Sequence, residues 1–160
     1  MNINKTIISS LRAEYGDAFY LLDSDQFRKN FLELKEAFCK IYPNFNIAYS
    51  YKTNYTPKLC KIVNALGGYA EVVSEMELEI ARRIGMEPER IIWNGPIKEP
   101  KVLEEFICSG GTVNIDSLEE LKVVKDIAKR YSQTLLNVGI RCNYDVGDGV
   151  VSRFGFDVDS

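Results

Sequence analysis

Histidine is absent from the 160 residues. That excludes Ser/His and Cys/His nucleophilic pairs and histidine-ligated metals within them. Cysteine is sparse. The four cysteines stand at 39, 60, 108 and 142, too far apart for a CxxC zinc ribbon or dithiol redox motif. No basic block occurs: Lys plus Arg number 20 against 23 Asp plus Glu, a formal net charge of -3. A nucleic-acid partner is therefore not expected. No apolar run approaches the ~18 residues that cross a bilayer, so no membrane is expected. The N-terminal residues carry charges at Arg12 and Glu14 and lack the long apolar core of a signal peptide. Cysteines without an export signal predict a cytoplasmic location. No GxGxxG follows a strand and no Walker lysine occurs, so the usual nucleotide-phosphate signatures are missing too.

What is present is regular. Six short apolar runs read as strands: 18–22, 45–51, 68–73, 90–93, 112–115 and 135–140. From Ile47 their centres fall near 47, 70, 91, 113 and 137, in steps of 23, 21, 22 and 24 residues. Each step accommodates a strand, a short loop, a helix of about three turns and a return loop. Helix punctuation sits between them. Asp23 with Gln26 reads as a capping pair, and Thr56-Pro57 as an N-cap with proline at N1. Ser74 with Glu77 and Ser117 with Glu120 read as S-x-x-E capping boxes. Gly67-Gly68, Gly85 and Gly110-Gly111 fall where helices should stop. A further helix is expected over Lys5 to Tyr15.

Strand–helix alternation predicts an α/β fold with a mostly parallel sheet. Two architectures compete: a doubly wound parallel sheet, which suits the length, and a (β/α)8 barrel, which typically needs about 250 residues. The last twenty residues, 141–160, read as a loop with apolar anchors at Val150, Val151, Phe154 and Phe156, and with a turn at Gly147-Asp-Gly149. No helix follows the last strand, so an N-terminal fragment of a longer protein is expected.

In either architecture ligands bind beyond the carboxyl ends of the strands. Lys52, Glu71, Asn94, Asp116 and Arg141 all fall at such ends. Most have a bland reading: lysines after strands are usually solvated, and Ser74, Asp116 and Ser117 are most simply helix caps. Lys52 is less bland because an apolar-aromatic strand delivers it to the rim. Glu71 lies within an apolar strand and needs a partner, for which Arg141 is a candidate. A strand-end lysine held neutral condenses with aldehydes, and pyridoxal phosphate is the commonest such aldehyde. Without histidine, lysine Schiff-base chemistry is the strongest covalent option these residues leave.

Several segments then match a family pattern in order. They are Ala48-Tyr-Ser-Tyr-Lys-Thr-Asn54 (Y-x-x-K-x-N), Gly68-Tyr-Ala-Glu-Val-Val-Ser-Glu-Met-Glu-Leu78, and Asn94-Gly-Pro-Ile-Lys98 (G-x-x-K). They continue with Asp116-Ser-Leu-Glu-Glu-Leu121 (D-S-x-x-E-L), Gly139-Ile-Arg-Cys-Asn143 (R-x-N) and Ser152-Arg-Phe-Gly155. The last has arginine where the pattern usually has lysine, and Glu71 stands where many members have aspartate. From about Ala18 to Phe156 the sequence resembles the N-terminal part of the fold-type III pyridoxal-phosphate decarboxylases. Diaminopimelate, ornithine and arginine decarboxylases belong to this family, which shares its barrel with alanine racemase.

The resemblance implies about five of eight strands of a TIM-type barrel, residues 45–160. Before it, residues 1–44 would hold an N-terminal helix, an opening strand and a long helix. It implies pyridoxal 5'-phosphate as cofactor, with Lys52 as the catalytic Schiff-base lysine and with Glu71 and Arg141 as further cofactor-binding residues. It implies decarboxylation of an amino acid, first meso-diaminopimelate or a related basic amino acid, by a homodimer. The family's stacking histidine, glycine-rich phosphate loop and pyridinium-pairing glutamate would lie beyond Ser160. Two other functions stay open: an amino-acid racemase on the same barrel, and a non-catalytic relative that binds family subunits.

Overall fold

The structure is a computed structural model and describes residues 4–144, 147 and 154–158. The turn at 147–149 and the Ser152-Arg153 part of the last motif lie wholly or partly outside the described residues, as do Val150 and Val151. The chain divides into two compact units, 1–45 and 46–160.

The first unit is helical. Helix α1 spans Lys5–Tyr15, and the Asn4 side chain caps it by accepting from the Ile7 N–H at 3.0 Å. Helix α2 spans Ser24–Cys39, and Asp23 caps it by accepting from the Gln26 N–H at 2.9 Å. Between the helices, residues 18–22 take no strand conformation. Their apolar pattern alone predicts a strand, but a strand is held by backbone pairing, and these residues pair in no described sheet. The Phe38 and Phe45 rings stack at 4.4 Å where the unit ends.

The second unit holds a five-stranded parallel sheet. Its strands are β1 (Ala48–Ser50), β2 (Tyr69–Val72), β3 (Ile91–Trp93), β4 (Thr112–Ile115) and β5 (Asn137–Ile140). Helices α3 (Pro57–Ala65), α4 (Glu75–Arg83), α5 (Pro100–Cys108) and α6 (Leu118–Arg130) alternate with them. A two-residue parallel pair, β6 (Cys142–Asn143) and β7 (Phe156–Asp157), follows.

The strand order is β1-β2-β3-β4-β5, without reversal. A doubly wound sheet reverses its order to place helices on both faces. An unreversed order with crossovers of one hand keeps every helix on one face, as in a barrel wall. The two faces agree with this. One set of alternate residues (Tyr51, Ala70, Val72, Ile91, Trp93, Val113, Ile115) is buried in one cluster with the inner residues of the helices. At its centre the Trp93 ring meets Phe106 of α5 edge-on, at 5.7 Å. The opposite set includes the half-buried polar residues Ser50, Glu71, Asn94, Thr112 and Asn114, together with Ala48, Tyr69 and Ile92. A sheet with helices on both faces would make both sets apolar. The protein is therefore built as part of a (β/α)8 barrel, and the doubly wound alternative is set aside.

Candidate functional site

Strand register sets the polar face row by row. Ser50 stands beside Glu71 and Glu71 beside Ile92. One step further toward the carboxyl ends come Asn94 and Asn114. The side chains join into a ladder across four strands. The Ser50 hydroxyl donates to Glu71 Oε2, and the Asn94 amide donates to Glu71 Oε1 at 3.3 Å. The Asn114 amide in turn donates to Asn94 Oδ1 at 3.2 Å. The fifth strand has no side chain at this level: Gly139 lies beside Asn114, and a Cβ there would overlap Asn114 Oδ1. Gly95 is demanded in the same way, since its Cβ would overlap the Val73 carbonyl.

Past the strand ends lies a second network. Lys98, in the β3–α5 loop, has a side chain with no solvent exposure. Its ammonium donates to Gly95 O at 2.5 Å, Asn114 O at 3.0 Å and Glu120 Oε1 at 2.7 Å. Glu120 is the third residue of α6, whose N-cap is Ser117. Its N–H donates to Ser117 Oγ at 3.2 Å, and its Oε2 accepts from the Asp116 N–H at 2.8 Å. Asp116 Oδ1 accepts from Arg141 Nη1 at 3.0 Å. The Arg141 guanidinium lies over the Phe154 ring at 4.7 Å. Burial pushes the Lys98 ammonium below the ordinary lysine range, and the bonded Glu120 carboxylate opposes that push.

The three residues singled out in the sequence occupy distinct places on this rim. Lys52 is exposed in the turn after β1, and no described carboxylate pairs with it. Glu71 belongs to the ladder, one strand away from the Lys52 turn. Arg141 follows β5 and belongs to the second network. The expected ion pair between Glu71 and Arg141 does not form. Two neutral donors satisfy Glu71, and Asp116 takes the arginine because it precedes the neighbouring helix, beside the end of β5. Asp116 is accordingly no helix cap; Ser117 is. Thr56 makes no capping bond either, and Asn54 Oδ1 accepts from its N–H at 3.0 Å and its hydroxyl at 2.7 Å. Sequence reasoning passed over Ser50 and Asn114. The period-2 alternation of β1 and β4 puts both on the face opposite Tyr51 and Ile115, and that signal could have found them.

The donor set suits an aldehyde-bearing, acidic, aromatic cofactor. An amine free of any described carboxylate stands at one strand end. A carboxylate fixed by two donors stands at the next. At the last is an arginine with only one bond to a described carboxylate. Among the described residues no cluster of His, Cys, Asp and Glu could hold a metal.

Residues 25–159 match the family described as pyridoxal-dependent decarboxylase, pyridoxal binding domain. A diaminopimelate decarboxylase of Aquifex aeolicus is 33% identical over 140 residues, which is 87% of this chain and 32% of that protein. The L-glutamyl-[BtrI acyl-carrier protein] decarboxylase of Niallia circulans is 31% identical over 98% of this chain and 38% of its own length. In structure, the diaminopimelate decarboxylase of M. jannaschii in co-complex with L-lysine superposes with a TM-score of 0.77 at 26% identity. That match covers 94% of this chain and 38% of the other. The chain thus spans about a third of the length of the relatives it matches. A family match over most of the chain, on a partial barrel wall, shows that the chain belongs to the pyridoxal-dependent decarboxylases and matches their pyridoxal binding domain over residues 25–159.

Proposed function

We propose that this chain is the cofactor-holding half-barrel of an amino-acid decarboxylase whose substrate is meso-diaminopimelate or a related basic amino acid. The observation that carries the reading is the placement of Lys52, Glu71 and Arg141 at the carboxyl ends of β1, β2 and β5, in a chain of the pyridoxal-binding family. Bound pyridoxal phosphate supplies an aldehyde that captures amines and a ring that withdraws electrons from the substrate's α-carbon. Lys52 would hold the cofactor through its side-chain amine. Glu71, fixed by Ser50 and Asn94, presents a carboxylate of set orientation to the cofactor. Arg141, held by Asp116 at one amino group, would have its other donors available to the cofactor's phenolic oxygen.

The diaminopimelate assignment leans on the relatives, several of which are diaminopimelate decarboxylases. A homodimer in the cytoplasm belongs to the same reading. The test begins with pyridoxal phosphate and borohydride, followed by peptide masses. A phosphopyridoxyl group on Lys52, lost in Lys52→Ala together with at least a thousandfold of carbon dioxide release, is the expected result. Label on another lysine, with Lys52→Ala still active, overturns the assignment. Product chirality and release from diaminopimelate, ornithine and arginine then rank the substrates.

A further inference from the structure

We propose that Lys98 is a positioning residue, tying the β3–α5 loop to β4 and α6 so that Asn114 and the Asp116–Arg141 pair keep their places at the cofactor site. The inference rests on the reading of that site given above.

The geometry is that of a junction. All three ammonium donors of Lys98 are used, and they reach the backbone of its own loop, the backbone of β4 and the side chain of α6. Two chains of bonds leave it. One passes through Asn114, whose carbonyl Lys98 holds and whose amide supports Asn94 and hence Glu71. The other passes through Glu120 to the Asp116 N–H, and from the Asp116 carboxylate to Arg141. Thus one buried cation stands under both proposed cofactor-facing groups, Glu71 and Arg141.

Capping α6 does not require that cation. Helix α4 has the same box: the Glu77 N–H donates to Ser74 Oγ at 3.3 Å, and Glu77 Oε2 accepts from the Val73 N–H at 2.8 Å. No lysine or arginine bonds to Glu77 among the described residues. The carboxylate alone closes that box, so Lys98 is additional to the cap. Stability does not explain it either, because a buried ion pair is commonly no better than apolar residues of the same volume. What the lysine adds is a fixed distance between two loops of the rim.

The test uses the full holoenzyme and separates positioning from scaffolding. Lys98→Met alone leaves Glu120 buried and unpaired, and lowers thermal stability whatever its role. Lys98→Met/Glu120→Gln removes both charges, leaves an amide oxygen to accept from the Asp116 N–H, and recovers most of the unfolding temperature. In that double variant we expect pyridoxal phosphate to bind at least tenfold more weakly, with a displaced absorption band of the bound cofactor. Parental affinity and spectrum in the double variant overturn the proposal. Should the double variant fail to fold, Glu120→Gln keeps the shape but leaves one oxygen for two donors. At least threefold weaker binding is then expected, and unchanged binding overturns the proposal. Borohydride labelling of Lys52 in the parent protein keeps the two claims apart. Without it, the site reading and this inference fall together. With it, an undisturbed double variant removes this inference alone.

Discussion

Glu71 keeps its orientation through two neutral donors, the Ser50 hydroxyl and the Asn94 amide. A hydrogen bond to a charged group contributes about 1.5–3 kcal/mol. Glu71 is only half-buried, so water replaces part of the loss. Ser50→Ala is therefore expected to cost about 1 kcal/mol in urea unfolding, and to weaken cofactor binding more than it lowers stability. Equal losses, or no change in binding, would show that the hydroxyl serves the fold alone. Gly139→Ala should also weaken cofactor binding, by displacing the Asn114 amide from Asn94; binding at the parental level would contradict the ladder. At this scale the sequence displayed which residues are chemically able, since a lysine, a carboxylate and an arginine each stand at or just past the carboxyl end of a strand. It did not display who bonds to whom. Glu71 and Arg141 have opposite charges, but β2 and β5 are separated by two strands, whereas Asp116 stands next to Arg141. Partner choice followed strand order, which charge counting does not contain.

Among the elements, the two capping boxes and the loop before α3 make a matched set. Ser74→Ala and Ser117→Ala should each destabilise by about 1 kcal/mol, the ordinary cost of an N-cap. Thr56→Ala should cost less than the serines, because it loses only an exposed hydroxyl bond to Asn54, and Asn54→Ala about as much as the serines, because it loses both bonds of this loop. Chemical denaturation of the four variants checks the order; a large effect at Thr56 would refute it. The elements were also the most legible level. All five barrel strands lie within the apolar runs, and α1 covers the span its pattern indicated. The run at 18–22 shows why one element was not legible. Apolar alternation states which face would be buried, but a strand also needs a backbone beside it.

For the molecule as a whole, two surfaces have measurable consequences. On the helical side, Arg130 and Tyr131 of the α6 end bond to Glu104 of α5, at 2.7 and 2.8 Å, and hold its carboxyl below the usual carboxylate range. A carboxylate depressed in the folded state contributes stability above its unfolded value, and the contribution is lost as pH falls through the folded value. The stability gap between the parent and Glu104→Gln should accordingly exist at neutral pH and close in acid; a pH-independent gap would refute the coupling. On the sheet side, β5 pairs only with β4 among the described strands and exposes Val138 and Ile140. An apolar edge of this kind recruits other edges. In a polypeptide of residues 1–160, Val138→Lys/Ile140→Lys should reduce self-association in sedimentation. Unchanged association would place the contact elsewhere.

The unreversed strand order also bears on how the protein is made. Register partners lie close in sequence: Ser50 pairs with Glu71, Glu71 with Ile92, Ile92 with Thr112 and Thr112 with Asn137. Each step is about 20–25 residues, so the loop to be closed stays short and its entropic cost low. A ribosome adds ~5–20 residues per second and needs about 1–5 s for one such unit, while chain closure takes microseconds. Each new strand therefore emerges after the strand it pairs with has already been made. Strand pairing thus follows the order of synthesis, and Lys52 comes directly after β1, the earliest made of these five strands.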